Sequence, residues 1–116
     1  MPNITVINFP DEAGFFDIDA QGDVRDSDGA EDEFTNGGDV GVWVKNASGG
    51  QIDMTFPAQK ACSHGFTHNS QAAIPDGFEG FVALRLESDR FNDSNSKTKI
   101  QYSAAGLRVA AVRLPA

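Results

Sequence analysis

Short apolar runs separated by turn-forming residues make up most of the chain after residue 39. Residues 40–45 are almost continuously apolar, whereas residues 51–56 alternate polar and apolar positions and so place three apolar side chains on one face. Residues 46–50, between these runs, contain Asn, Ser and two Gly, which favour a chain reversal. The pattern predicts two strands, and the short connection predicts that they pair as a hairpin.

Apolar runs of the same kind recur toward the C-terminus. They predict four more strands, over residues 71–74, 81–86, 97–103 and 107–114. We expect the last two to form a second hairpin and, because both faces of residues 107–114 are largely apolar, we expect that strand to be central in its sheet. The polar segment 89–95 contains one aromatic residue, Phe91, which we expect to anchor this loop in the core.

The spacing of these strands indicates an all-β fold. We predict an antiparallel β-sandwich of about seven short strands with an extended acidic N-terminal arm. Residues 1–39 would form an acidic N-terminal strand and this arm, and residues 40–116 would form the β-sandwich domain. Within this arm, residues 4–9 are mainly apolar and are followed by Pro10, which ends the run. They predict a further strand, which could pair with its own chain or with another subunit.

Acidic residues concentrate in the first third of the chain. The 116 residues include 17 acidic and nine basic ones, for a net charge of −8. Residues 1–39 hold 11 of the acidic residues beside one Arg, a net charge of −10, and the rest of the chain has a net charge of +2. The negative sign disfavours nucleic-acid binding, because phosphate backbones select Lys and Arg clusters. We expect the acidic arm to be solvated and to become ordered on contact.

The sequence also bears on the cellular setting. No apolar stretch approaches the ~20 residues that a membrane-spanning helix needs. The first residues lack the positive and long apolar regions of a signal peptide, so we do not expect export by the standard route. The one cysteine has no partner for an internal disulfide, which is typical of folding in a reducing cytosol.

Several segments of the C-terminal two-thirds carry a resemblance to a known group of proteins. The most distinctive is a polar loop, Arg-Phe-Asn-Asp, ahead of a strand that contains Tyr-Ser. The matching segments are residues 32–38, 42–49, 52–55, 89–93, 97–103 and 107–114. Over about residues 33–114, the chain resembles the small virion proteins of tailed bacteriophages that are encoded with capsid genes, the head decoration or cement proteins. Residues 1–31 lie outside this resemblance.

This resemblance implies a β-sandwich that binds the outside of an assembled capsid, often as an oligomer around a symmetry axis. It implies no catalytic residue. The partners would be the major capsid protein and further copies of this chain, with a trimer as our first expectation, and no cofactor. The expected location is the capsid exterior of a virion, after synthesis in the host cytoplasm.

The apolar residues of the acidic arm are candidates for contact with a partner. Ile4, Val6 and Phe9 could add a strand to a neighbour's sheet edge. Phe15 and Phe16 could dock in apolar pockets of a partner. The hypothesis follows from apolar residues lying in a segment that is too highly charged to form its own core.

Residues 17–28 imitate a twelve-residue calcium-binding loop. Asp17, Asp19, Asp23 and Asp28 offer carboxylate oxygens, and Gly22 holds the sixth position, where such loops turn sharply. A Gln at the fifth position and an Asp instead of Glu at the twelfth depart from the pattern, and no flanking helices are predicted. A solvated acidic loop is therefore the favoured interpretation, with calcium binding left open.

Cys62, His64 and His68 place one thiol and two imidazoles in a short loop, and zinc prefers these donor types. A fourth ligand is not evident, so packing of the loop is favoured unless symmetry-related copies share a site. As a nucleophile and base, Cys62 and His64 lack an orienting third group and an oxyanion cradle. We therefore do not expect an enzyme.

A second class of function stays open, namely a calcium- or glycan-binding β-sandwich module of a tail fibre or a cell surface. Such a module would use the acidic loop together with Trp43, whose indole could stack on a sugar ring. The two classes differ in what stabilises the protein. A binding module is stabilised by calcium or sugar alone, whereas a decoration protein is stabilised only by its shell.

Overall fold

The described residues form two β-sheets packed face to face, which confirms the predicted all-β sandwich. The computed structural model describes residues 3–8, 25–26, 31–59, 69–84 and 87–114, and of residues 25, 26 and 89 it describes the backbone alone. Within this part of the chain, no helix is long and apolar enough to span a membrane.

Ten strands and one helical turn follow each other along the described residues. The first four strands are β1 (Asn3–Ile4), β2 (Val6–Asn8), β3 (Arg25–Asp26) and β4 (Asp32–Thr35). The next four are β5 (Val40–Asn46), β6 (Ile52–Phe56), β7 (Ser70–Ile74) and β8 (Glu79–Ala83). The helical turn α1 (Ser88–Phe91), β9 (Lys97–Tyr102) and β10 (Leu107–Arg113) complete the fold.

Each sheet draws its strands from distant parts of the chain. Sheet one has the order β1-β4-β9-β6-β7, and sheet two has the order β2-β10-β5-β8, with β3 also paired to β10. Most neighbours are antiparallel, but β1 runs parallel to β4 and β2 runs parallel to β10. Both sheets are therefore mixed rather than purely antiparallel, and the chain crosses from one sheet to the other at Thr5.

Strands occur on both sides of the boundary that we predicted between residues 39 and 40. β1 and β4 form one side of sheet one, and β2 and β3 lie along β10 in sheet two. The described parts of residues 1–39 thus belong to the same sandwich as the rest of the chain.

The core lies between the two sheets and is formed by side chains on the facing sides of their strands. Its fully buried members include Phe34, Val42, Val44, Met54, Ile100, Leu107 and Val109. The opposite face of sheet two carries a second apolar cluster of Ile7, Trp43, Ala110 and Val112. β10 contributes buried side chains to both clusters and lies between β2 and β5, which confirms that it is a central strand.

Both predicted hairpins are wrong. β5 and β6 are consecutive in sequence but belong to opposite sheets, and so do β9 and β10. Alternation predicts which face of a strand is apolar. It does not show whether two such strands lie side by side in one sheet or face each other across a sandwich. Here the second arrangement occurs, and the connections cross between the sheets as arches.

The two arches lie side by side at one end of the sandwich. Leu107 is opposite Asn46 in the ladder between β5 and β10, so the arch that precedes β10 meets the arch that follows β5. A Cβ atom on Gly106 would lie 2.8 Å from the Cβ of Ser48, and Gly106 has a φ of +117°. Only glycine accommodates both conditions without strain.

The loop that contains Phe91 closes the opposite end. Phe91 is 4% exposed, and its ring meets the ring of Phe56 edge to face with centroids 6.5 Å apart. This confirms the expectation that Phe91 anchors the loop. The helical turn α1, where we predicted irregular structure, brings the Arg90 guanidinium over the Phe91 ring at 4.8 Å.

Candidate functional site

Three of the segments that carry the family resemblance meet at one corner of the sandwich. β4 pairs antiparallel with β9, and this register places Thr35 opposite Lys97. The residues just after β4 therefore lie beside the residues just before β9. The loop from Glu87 to Ser96 enters the same corner, because Asn92 forms an isolated bridge with Thr98.

Asn36, Asn92 and Thr98 form a closed triangle of hydrogen bonds at this corner. Asn36 Nδ2 donates to Thr98 Oγ1 at 2.9 Å, and Thr98 Oγ1 donates to Asn92 Oδ1 at 2.7 Å. Asn92 Nδ2 then donates to the carbonyl of Asn36 at 2.7 Å. Asn36 and Thr98 are buried, so these bonds replace the water that their polar groups lose on folding.

Asp93 organises the turn that leads into β9. Its Oδ1 accepts the backbone N–H of Asn95 at 2.8 Å and that of Lys97 at 3.1 Å. The pKa of the Asp93 carboxyl is lowered from its ordinary value, mainly by the Asn95 bond, next by the Lys97 bond, and further by the cations of Lys99 and Lys97. Within this turn, Ser96 takes a φ of +62°, which the Asp93 bonds hold in place.

A buried carboxylate ties β4 to β9 farther along the same pair of strands. Asp32 has no exposed surface, and its Oδ2 accepts the hydroxyl proton of Tyr102 at 2.8 Å. A buried carboxylate needs such partners, because its transfer from water is otherwise strongly unfavourable. Tyr102 thus donates a hydrogen bond to Asp32 and also packs against the main apolar cluster.

The geometry of this corner shows what it can do. Its donors and acceptors satisfy each other, so the cluster holds the β4–β5 connection, the α1 loop and the start of β9 in one fixed arrangement. Residues 32–38, which are distant in sequence from residues 89–93 and 97–103, belong with them to this one structural unit.

Asn46 organises the opposite end of the sandwich in the same manner. It is 1% exposed, and its Nδ2 donates to the carbonyls of Gly50 at 2.9 Å and Ile74 at 3.0 Å. Its Oδ1 accepts both the N–H and the hydroxyl of Ser48, at 3.0 and 2.7 Å. Asp76 joins in by accepting the N–H of Gly49 at 3.0 Å. One side chain thereby connects the arch after β5 to the turn after β7.

The structure places two of the predicted partner-contact residues within this chain. Ile4 is 2% exposed and belongs to the main core, and Val6 packs against that core. Their strands pair with β4 and β10 of the same chain. Ile4 therefore offers almost no surface to a partner, because its side chain completes the packing between the two sheets. This corrects its assignment as a contact residue.

The other candidate residues lie outside the described residues. These are Phe9, Phe15 and Phe16 as partner contacts, Asp17, Asp19, Asp23 and Asp28 as calcium ligands, and Cys62, His64 and His68 as zinc ligands. Among the residues that the structure does describe, no group of three or more His, Cys, Asp or Glu side chains is gathered as a metal site.

Trp43, the candidate for sugar stacking, is packed rather than open. It is 4% exposed and lies in the outer cluster of sheet two with Ile7, Ala110 and Val112, against Phe81. An indole in this position presents no free ring face to a sugar. Trp43 is therefore a packing residue, which is the role that its position inside a strand favours.

The polar residues that organise both ends were not found from the sequence. Asn36, Asn46 and Thr98 are buried, yet sequence patterns assign Asn and Thr to turns and exposed faces. Each Asn directly follows or ends a strand, which was the available signal, but which distant carbonyl or hydroxyl it meets depends on tertiary pairing.

Comparison of the chain with protein-family models, with curated proteins and with solved structures finds no match.

Proposed function

We propose that this chain is a structural subunit of a tailed-phage virion, which binds the outside of the assembled head and stabilises it without catalysing a reaction. Its partners are the major capsid protein and further copies of itself, as a trimer around a symmetry axis. Its place is the capsid exterior.

The observation that carries this proposal is the contact between the resemblance segments. Residues 32–38, 89–93 and 97–103 are joined by hydrogen bonds between residues as far apart as Asn36 and Thr98. The segments that carry the resemblance therefore lie in contact within one sandwich, and this contact is the support for the proposal.

The organisation of the two ends is compatible with such a role. Buried hydrogen bonds from Asn46 at one end and Asn36 at the other hold the connecting loops. A surface that is already ordered loses less conformational entropy when it binds. Repetition on a shell lattice then multiplies a modest contact by the number of sites.

The mechanism of stabilisation is thermodynamic linkage. A subunit that binds assembled shells but not separate capsid proteins lowers the free energy of the shell by RT ln(1 + [L]/Kd) per site, about 2.7 kcal/mol when the free concentration is 100 times Kd. The shell then disassembles at a higher temperature, in proportion to occupancy.

The test combines the purified chain with empty shells of the phage that encodes it. We expect saturable binding and a rise in the melting temperature of the shells, with no change in the melting temperature of the chain when Ca²⁺ or sugars are added alone. Stabilisation of the free chain by Ca²⁺ or a glycan, without shell binding, would contradict the proposal and favour a ligand-binding module.

A further inference from the structure

β7 is the edge strand of sheet one at the end opposite β1, and its outer edge is the side that does not face β6. β7 pairs with β6 over five consecutive residues without a register shift. Among the described strands, none pairs with the other side of β7. A strand edge of this kind leaves backbone N–H and C=O groups available for pairing with another strand.

The hydrogen bonds of β6 identify which groups of β7 point outward. The N–H of Asp53 donates to Ser103 Oγ, and its carbonyl accepts the N–H of Ser103, so the backbone groups of Asp53 face away from β7. The backbone N–H and C=O groups of successive residues point alternately to the two sides of a strand, so those of Met54 face β7. The β7 residue opposite Met54 is therefore bonded inward, and its neighbours Gln71 and Ala73 present their backbone groups outward.

β7 lacks the features that usually block pairing at a sheet edge, namely charged residues, Pro and bulges. Its five residues are Ser, Gln, Ala, Ala and Ile, and its ladder with β6 is regular. β8, one edge strand of sheet two, differs because it begins with Glu79 and has a register shift between Val42 and Trp43 of its partner strand. β2, at the other edge of sheet two, has three residues. β1, at the other end of sheet one, has only two residues.

We propose that the outer edge of β7 pairs antiparallel with β7 of a second copy of this chain. In a two-fold register centred on Ala72, Gln71 of each copy lies opposite Ala73 of the other, and these residues exchange backbone hydrogen bonds. Sheet one then continues across the two-fold axis, with five strands from each copy.

Self-complementarity is the reason for choosing a second copy as the occupant, because in this register the outward backbone groups of Gln71 meet those of Ala73 in both directions. The chain has a net charge of −8, so two copies repel each other through most surfaces. β7 itself carries no charged side chain and mostly small ones, so its pairing with a second β7 brings no like charges directly opposite each other. The contact needs no shell, so it stands apart from the proposed capsid function and from the three-fold contact of the trimer, which we expect to form only on the shell.

Sedimentation equilibrium of the full chain tests the proposal. Two five-residue strands bury less surface than a standard interface, so we expect a weak dimer, with dissociation at about 0.1–1 mM. The weight-average mass should rise from 12.4 kDa toward twice that value over this range. A chain that stays monomeric to about 1 mM would overturn the proposal.

Two matched variants identify the edge. In Q71K/A73K, each new Lys lies opposite a Lys of the other copy, and we expect the dissociation constant to rise about tenfold. In Q71E/A73K, each Glu lies opposite a Lys, and dimerisation should be kept. Lys at position 73 is compatible with folding, because Ala73 is exposed and lies opposite Asp53 in its own chain. Equal effects of the two variants would show that the contact lies elsewhere.

Hydrogen exchange on the unmodified chain gives a measurement that does not depend on variants. The outward amides of Gln71 and Ala73 should exchange fast in dilute solution and more slowly as concentration rises. The inward amide of Ala72 should be protected at both concentrations. Exchange at Gln71 and Ala73 that is independent of concentration, in samples that do associate, would contradict pairing through β7.

Discussion

The end of the sandwich that contains the two arches depends mostly on the Asn46 side chain. It is buried and contacts the carbonyl of Ile74, a residue that is itself 2% exposed, so no water is available to replace this bond. The same side chain also holds Ser48 through two further hydrogen bonds.

We expect Asn46→Ala to lower the free energy of unfolding by about 1–3 kcal/mol, because a buried carbonyl loses its donor. Urea denaturation measures the change. Gln51→Ala is the matched control, since Gln51 is exposed and bonds only to Asp53 Oδ1 among the contacts described; it should change stability by no more than about 0.5 kcal/mol. Equal effects of the two substitutions would contradict the assigned role of Asn46.

Asp93 makes a prediction about pH. Its pKa is lower in the folded chain than its ordinary value of about 4, so the ionised carboxylate stabilises the fold at pH values above that ordinary value. This stabilisation is lost as the pH falls through the folded pKa. Asp93→Asn should therefore be less stable than the unchanged chain at pH 7, and the difference should shrink below about pH 4. A difference that stays constant down to about pH 2 would show that the Asp93 charge is irrelevant.

Among the elements, β5 and β8 approach each other closely at Gly41. A Cβ at this position would lie 2.9 Å from the carbonyl oxygen of Leu84 and 3.0 Å from that of Ala83. Both are backbone atoms, so the strands themselves would have to move apart.

Gly41→Ala should lower the free energy of unfolding by about 1–3 kcal/mol through this overpacking. Gly50→Ala is the control, because no atom lies within 4 Å of its added Cβ, and its stability should change by less than about 1 kcal/mol. Thermal unfolding of both variants measures the difference. A Gly41→Ala chain as stable as the Gly50→Ala chain would contradict the close approach of β5 and β8.

The strands were easier to predict from the sequence than their partners. Alternation places β6 within a residue of its observed bounds, because one face of that strand is buried. β4 was missed, since Phe34 is the one apolar residue among Asp32, Glu33 and Thr35 and the buried position of Asp32 depends on Tyr102. The hairpin error has the same origin, because pairing across a sandwich is a property of the assembled sheets.

At the scale of the whole molecule, the N-terminal strands β1 and β2 each form one edge of a sheet. Ile4 lies in the inter-sheet core and Ile7 lies in the outer cluster of sheet two, so one short segment contributes to both apolar clusters. Deletion of residues 1–31 would remove β1, β2 and β3 together. A folding defect and a binding defect would then be indistinguishable.

Ile4→Ala should destabilise the isolated chain by about 2–5 kcal/mol, as expected for truncation of a buried Ile. Thr5→Ala, at the exposed neighbouring position, should have an effect within about 0.5 kcal/mol. Denaturant unfolding in the absence of any partner makes the comparison. An Ile4→Ala chain of unchanged stability would return Ile4 to the list of partner contacts.

Phe15 and Phe16 remain predicted partner contacts, and substitution tests them without removing β1 or β2. We expect Phe15→Ala/Phe16→Ala to weaken binding to shells at least about tenfold, because aromatic residues dominate interface energies. Glu12→Gln is the control in the same segment, and it should bind almost as the unchanged chain does. Binding by the double variant at the original midpoint concentration would remove these residues from the interface.

Electron cryomicroscopy of virions from the source that encodes the chain, prepared with and without its gene, tests the virion assignment most directly. We predict additional density on the capsid exterior at symmetry-related positions, which disappears when the gene is removed and returns when the purified chain is added back. Virions with the same exterior in both preparations, together with a chain found only free in the lysate, would contradict a decoration role.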